Sequence, residues 1–205
     1  MAEFWNNLPG IISALGVIIT AFFAYNQYTK NKETDRKIEK FKQDAIKKSK
    51  RRSDNSGIVY SELHDVLRDL GADRVYIVQP HPLGNEEKLS IYYEVHRKGI
   101  APMKPIIQNL PIAEVAKFNR SLIENLFMFI TDIDQQVEDK YAKAIMSSHG
   151  SQYVIIKRLS DSRHDRNGSI FAEFTHPITI SKEEAQEVMH DAAMNIQYIL
   201  PEIIE

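Results

Sequence analysis

The sequence predicts an α+β protein in three parts: an N-terminal transmembrane helix, a charged helical linker, and a domain with a central, mostly antiparallel sheet flanked by helices. Three observations predict it. Residues 8–25 carry no charge, and about eighteen such residues just suffice to cross a hydrocarbon core as a helix. Residues 30–52 follow with eleven Lys or Arg against four Asp or Glu. From residue 54 onward, apolar residues at helical spacing alternate with short β-type runs bounded by turn residues.

A chain of 205 residues has room for one anchor, one linker and one domain of ordinary size. The formal charge of −2 hides a split, because residues 54–205 carry fifteen Lys or Arg against twenty-three Asp or Glu. That pattern points to a basic segment beside an ordinary acidic domain. There is no Cys, which excludes a disulfide framework, a thiol nucleophile and a Cys-ligated metal.

The organisation reads as tail and anchor over 1–27, basic linker over 28–53 and soluble domain over 54–205. In the anchor, Trp5 on one side and Tyr25 with Tyr28 on the other suit the two membrane interfaces. Gly16, Thr20 and Ala24 recur at four-residue spacing with Ser13 nearby, a small face through which two such helices can associate. A cleaved signal peptide fits less well, since residues 1–7 lack Lys and Arg and no small-x-small site follows. A buried helix of a soluble assembly remains the other alternative. The basic flank orients the anchor, so the expected location is a bacterial inner membrane, crossed once, with the domain in the cytoplasm. The linker has no Pro or Gly, and Glu33 with Lys37 forms a favourable i,i+4 pair. Lys47, Lys48, Lys50, Arg51 and Arg52 are candidates for contact with anionic lipid headgroups, with nucleic acid the less favoured partner.

In the domain, Val59, Leu63, Val66, Leu67 and Leu70 line one helix face that ends at Gly71. Residues 74–79 read as a buried strand. Residues 88–96 alternate Leu89, Ile91, Tyr93 and Val95, giving a second strand joined by a hairpin. Residues 98–111 are a loop over the domain, 112–125 a helix, 126–131 a short strand and 136–148 another helix. Residues 152–159 and 169–175 are strands across a polar turn. Ser181 with Glu184 is a capping box opening a final helix that runs to about Leu200 and stops at Pro201.

Catalytic signatures are missing: there is no Gly-rich phosphate loop, no G-x-S-x-G and no H-E-x-x-H. His81, His164 and His176 sit in turns. Asp132, Asp134, Glu138 and Asp139 lack the glycine and oxygen spacing of a calcium loop and suit an acidic helix start instead. No enzyme activity, metal or cofactor is expected. Tyr92, Tyr93, Phe118, Phe127 and Phe129 are the candidates for lining an apolar ligand pocket, although aromatics in alternating strands also serve as plain core.

The segments ELHDVLRDLGADRVYIVQPHP, EKLSIYYEV, LFMFITDI, SSHGSQYVIIKRL and GSIFAEFTHPITISKEEAQEVMHDAAMNIQYIL carry a resemblance over about residues 56–200. In order and character they resemble a GAF domain, a relative of PAS. The resemblance implies small-ligand binding or dimerisation and transmission of state to a partner. The Cys used by bilin-binding members is absent, and the signature of cyclic-nucleotide-binding members is not recognisable. The layout of one anchor and one small domain, with a strand pair and helix over 168–200, also resembles holins of T-even-type phages. That second resemblance implies a membrane-permeabilising lysis protein that oligomerises and whose soluble domain binds a regulator. The expectation is therefore a membrane-anchored, GAF-like, non-enzymatic module that senses a small ligand or docks a partner protein, a homo-oligomer or dimer, with the holin-type protein as the alternative.

Overall fold

The computed structural model describes residues 2–81, 87–160 and 167–200; for residues 2–21, 24, 48, 49 and 51–54 it describes the backbone alone. The chain divides into two compact units, residues 1–50 and 51–205. The helix α1 (Ala2–Asp69) makes up the first and opens the second.

In the first unit the described side chains are almost all exposed. They include Phe22, Phe23, Tyr25, Tyr28, Phe41 and Ile46. The Thr29 and Thr34 hydroxyls donate to the carbonyls of Asn26 and Lys30, as hydroxyls on a helix commonly do. Among the described residues no helix is long and apolar enough to cross a membrane. This overturns the expected single-pass placement in a bacterial inner membrane. The physical margin was small from the start: eighteen helical residues rise only about 27 Å against a hydrocarbon core of about 30 Å. The small face at Ser13, Gly16, Thr20 and Ala24 lies outside the described side chains, as do Lys48, Arg51 and Arg52. Lys47 and Lys50 are exposed.

The second unit is built on a six-stranded sheet of order β3-β2-β1-β6-β5-β4, antiparallel at every pairing. Its strands are β1 (Arg74–His81), β2 (Lys88–His96), β3 (Leu110–Pro111), β4 (Phe127–Ile130), β5 (Tyr153–Arg158) and β6 (Ser169–Phe174). The helices are α2 (Ala116–Glu124), which follows a 3-10 turn at Ile112–Val115, then α3 (Ile133–Gln136), α4 (Lys140–Ser148) and α5 (Lys182–Gln197).

Helices cover both faces of the sheet, so its central strands are buried on both sides. On one face α1 contributes Val59, Leu63 and Val66, and α5 contributes Ala185, Met189 and Ala193. They pack on Val75, Ile77, Ile170 and Ala172. On the other face, Tyr76, Val78, Val154, Ile156 and Phe171 pack against Val115, Leu122, Ile133, Ala142 and Met146. Gly71 (φ 67°) lets the chain leave α1 and enter β1. The α5 start carries the expected capping box between Ser181 and Glu184.

Two differences from the sequence expectation have clear causes. The alternating residues Leu89, Ile91, Tyr93 and Val95 do not share a face. The register slips between Ile77 and Val78, where Ile77 opposes Tyr93 but Val78 opposes Ile91. Tyr92 is the extra residue of a β-bulge, so Leu89 and Ile91 enter one core while Tyr93 and Val95 enter the other. The helix expected over 136–148 begins only at Lys140, because Gln136 closes a separate short helix, α3. Asp132 caps α3 through Gln135 N, and Asp139 caps α4 through Tyr141 N and Ala142 N, which interrupts the helix at Val137.

The loop 97–109 is tied down along its length. The Glu94 carboxylate accepts from Met103 N (2.6 Å) and Lys104 N (2.7 Å). Gln108 Nε2 donates to Ile91 O (2.7 Å), and Ser90 Oγ accepts from Asn109 N (2.8 Å). Ile91 N donates to Ile107 O at 3.0 Å.

Candidate functional site

The face of the sheet under α2 and α4 holds two features of interest among the described residues: a buried ionic network and a pair of adjoining apolar cavities. Both follow from strand alternation, which turns Arg74, Tyr76 and Val78 of β1, and Ser169, Phe171 and Glu173 of β6, to this side.

Arg74 and Glu173 face each other across β1 and β6, each about 1 % exposed. Arg74 Nε donates to Glu173 Oε2 (2.8 Å), and its Nη2 donates to Ser151 Oγ (2.9 Å) and to the same carboxylate. Its Nη1 donates to Ala101 O, which anchors the loop 97–109. Ser151 Oγ donates to Glu173 Oε2 (2.8 Å) and the Tyr76 hydroxyl to Glu173 Oε1 (2.6 Å). Burial, and then the neighbouring Glu173 charge, push the Tyr76 hydroxyl well above the ordinary tyrosine pKa. The network is closed: every member is a partner of another. It fixes β1, β6 and the loop to one another.

Beside it, a cavity of about 40 Å³ lies between the sheet and α2 and α4. Tyr76, Phe118, Leu122, Met146 and Phe171 are among its walls. The rings of Tyr76 and Phe171 stack at 5.2 Å, and Phe118 tilts against Phe171 at 6.2 Å. A second cavity of about 30 Å³ adjoins it toward the start of β6. The two share Val78, Leu89 and Leu122 as a partition, and the second adds Asn119, Arg158 and Gly168. Each space holds one or two waters at most. A larger space of about 390 Å³ runs past Thr131, Asp132, Asp134 and Gln152, and its lining is mostly polar. Its Asp132 is engaged as the α3 cap, and Asp134 Oδ1 accepts from Ser147 Oγ at 3.4 Å.

The five aromatic residues expected to line a pocket do not converge. Phe118 alone borders the cavity. Tyr92, Tyr93, Phe127 and Phe129 pack on the opposite core, where Tyr93 meets Tyr60 at 5.5 Å and Phe127 meets Phe129 at 6.5 Å. The bulge at Tyr92 is the reason for the first pair. On β4 the even-numbered residues, Met128 and Ile130, face the cavity side. Sequence reasoning missed Arg74, Glu173, Leu122 and Arg158. A signal existed for three of them, since a charged residue inside an otherwise apolar strand must find a buried partner. Among the described residues no group of three His, Asp or Glu is placed to hold a metal ion.

No protein-family profile matches the chain. No curated protein matches it either. Solved structures do. The blue-light absorbing form of the Thermosynechococcus elongatus PixJ GAF domain is similar at 11% identity and a TM-score of 0.58, over 73% of this chain and 86% of that one. The photoproduct state of a GAF domain from Synechocystis sp. PCC6803 is similar at 11% identity and a TM-score of 0.55, over 70% and 94%. A far-red absorbing dark state with bound biliverdin IXa is similar at 14% identity and a TM-score of 0.56, over 77% and 95%. With its antiparallel sheet, helices on both faces and this set of neighbours, the chain has a GAF-like fold.

Proposed function

We propose that residues 51–205 are a non-enzymatic regulatory module that senses a small, largely apolar ligand held between the sheet and the α2 and α4 layer. One observation carries the reading: the pair of apolar cavities there, separated only by Val78, Leu89 and Leu122. A well-packed core leaves few voids, and two that adjoin mark a seam along which the layers can part. The biliverdin-bound neighbour supports a small-molecule role for this fold. The space here is far smaller than such a molecule, so the ligand is a small one. Its entry displaces Leu122, on α2. The walls bring apolar side chains and no acid–base pair, which supports binding over catalysis. A change at this seam reaches α1 and α5 through β1 and β6, whose residues belong alternately to the two cores.

The test is a methyl-NMR titration of the full chain with toluene, indole and hexan-1-ol. At least one should give saturable shifts at Leu122 and Met146, lost in Leu122→Trp, which fills the seam, while the circular dichroism stays native. Non-saturable or scattered shifts for all three probes would defeat the reading.

A further inference from the structure

The helix α1 runs through the first unit, and none of that unit's described side chains is buried. A helix in water draws most of its stability from packing one face against something else. One stripe of this stretch suits that. Gln27, Asn31, Thr34, Ile38, Phe41 and Ala45 follow one another at alternating steps of four and three, which sets them on one face of the helix. Eleven of the twenty-one residues from Gln27 to Lys47 are charged, and none of the eleven falls on that stripe. Ile38 and Phe41 at its centre are 47 % and 72 % exposed. The Thr34 hydroxyl donates to Lys30 O (2.9 Å), so it asks for no partner across the stripe. The next two positions in the series, Lys48 and Arg52, are basic and end it.

We propose that this stripe pairs with the same stripe of a second copy of the chain, as a parallel two-stranded coiled coil. Parallel alignment stacks like on like: Asn31 on Asn31, Thr34 on Thr34, Ile38 on Ile38 and Phe41 on Phe41. An antiparallel pair over the same stretch sets each Asn31 amide against a Phe41 ring, where it finds no hydrogen bond. An Asn that faces its own copy is the device that fixes two strands in one register, at a cost in stability. The residues that flank such a stripe also meet between copies. In the parallel register Phe23 lies beside Tyr28 of the second copy, and Lys30 beside Asp35 of the second copy. Lys37 beside Lys42 of the second copy is a like-charged pair, but at an exposed flank salt screens it. A second copy meets a two-fold interface of this kind by symmetry, with the same patch on both sides. Ile38 and Phe41 supply the apolar layers, and the polar layers before them keep the association reversible.

The chain has no Cys, so single-Cys variants of the full chain report the pairing directly. In a glutathione redox buffer, Thr34→Cys and Phe41→Cys should form disulfide-linked dimers at least about tenfold faster than Arg36→Cys and Lys40→Cys on the opposite face of the helix. Sedimentation equilibrium of the unaltered chain should show monomer and dimer in exchange. Ile38→Asp should weaken the dimer by at least about tenfold, while Lys40→Gln leaves it within about twofold. All these positions are exposed, so loss of the dimer is read apart from loss of the fold, which circular dichroism checks. Cross-linking without preference between the two faces, or a monomer at every concentration up to about 100 µM, would overturn the proposal. So would linkage of Thr34→Cys to Ile38→Cys with neither variant linking to itself, which makes the pair antiparallel. A monomer that sediments with phosphatidylglycerol vesicles would assign the stripe to a lipid surface and overturn it as well.

Discussion

Leu122→Ala probes the seam most directly, because this side chain borders both cavities and is only 8 % exposed. Its truncation removes about three methylene equivalents of buried surface, worth about 2.4 kcal/mol at roughly 0.8 kcal/mol each. The loss also joins two existing voids, and a joined void on a helix pinned at both ends does not readily collapse. Retaining about 50 Å³ of new space adds about 1.2 kcal/mol at roughly 24 cal/mol per Å³. The expected destabilisation is therefore about 3.5 kcal/mol, inside the roughly 2–5 kcal/mol range for buried Leu→Ala changes. Urea unfolding followed by circular dichroism reads it, with an unchanged m-value showing that the unfolded state is not at fault. A loss below about 1 kcal/mol would mean that α2 settles onto the sheet, and that Leu122 does not hold the layers apart.

Three further outcomes follow from the same side of the sheet. Glu173→Gln leaves the Arg74 guanidinium buried without its counter-charge and should cost about 3 kcal/mol or more in urea unfolding, where a loss under about 1 kcal/mol would show the pair to be solvated. Gly168→Ala should cost at least about 2 kcal/mol by thermal unfolding, since φ is 121° and a Cβ would sit 2.4 Å from Val78 O; near-wild-type stability would refute the close approach. Tyr76 titrates above its unfolded value, so its contribution is fully present below about pH 10 and is lost as pH rises beyond that, when the unfolded chain gives up the proton first. Tyr76→Phe should flatten that alkaline loss while lowering stability at neutral pH by about 1–3 kcal/mol, because Glu173 Oε1 loses its donor. An unchanged alkaline slope would assign the loss to other groups.

Much of the fold was legible from local chemistry. The bounds of β2 follow from its β-branched and aromatic run, and the Ser181–Glu184 box marks the start of α5. What escaped was set by tertiary register. Nothing in KLSIYYEVH reveals that Tyr92 is a bulge, because the slip is decided by pairing with Ile77 and Val78 on another strand. That single residue moves Tyr93 from the expected pocket to the opposite core. The break at Val137 escaped for a related reason: Asp139 was read as dipole chemistry in one helix, whereas its carboxylate caps a second. The apolar stretch at 8–25 was read by its length, its lack of charge and the aromatics that flank it, and it met the length criterion only at its lower limit. Leu122 looked like any leucine on an amphipathic helix. Its place between two voids is a property of the packed layers.

The loop 97–109 has no regular secondary structure, yet Glu94, Arg74 and Ser90 bind its backbone to the sheet, and its own Gln108 side chain donates to Ile91 O of β2. In hydrogen exchange the amides of Met103, Lys104 and Asn109 should then open with β1 and β2, not with the surface turns. For a protease, the bonds that must yield before a cleavable stretch of this segment comes free are those of the sheet itself. Irregular chain of this kind adds to the cooperative unit instead of subtracting from it.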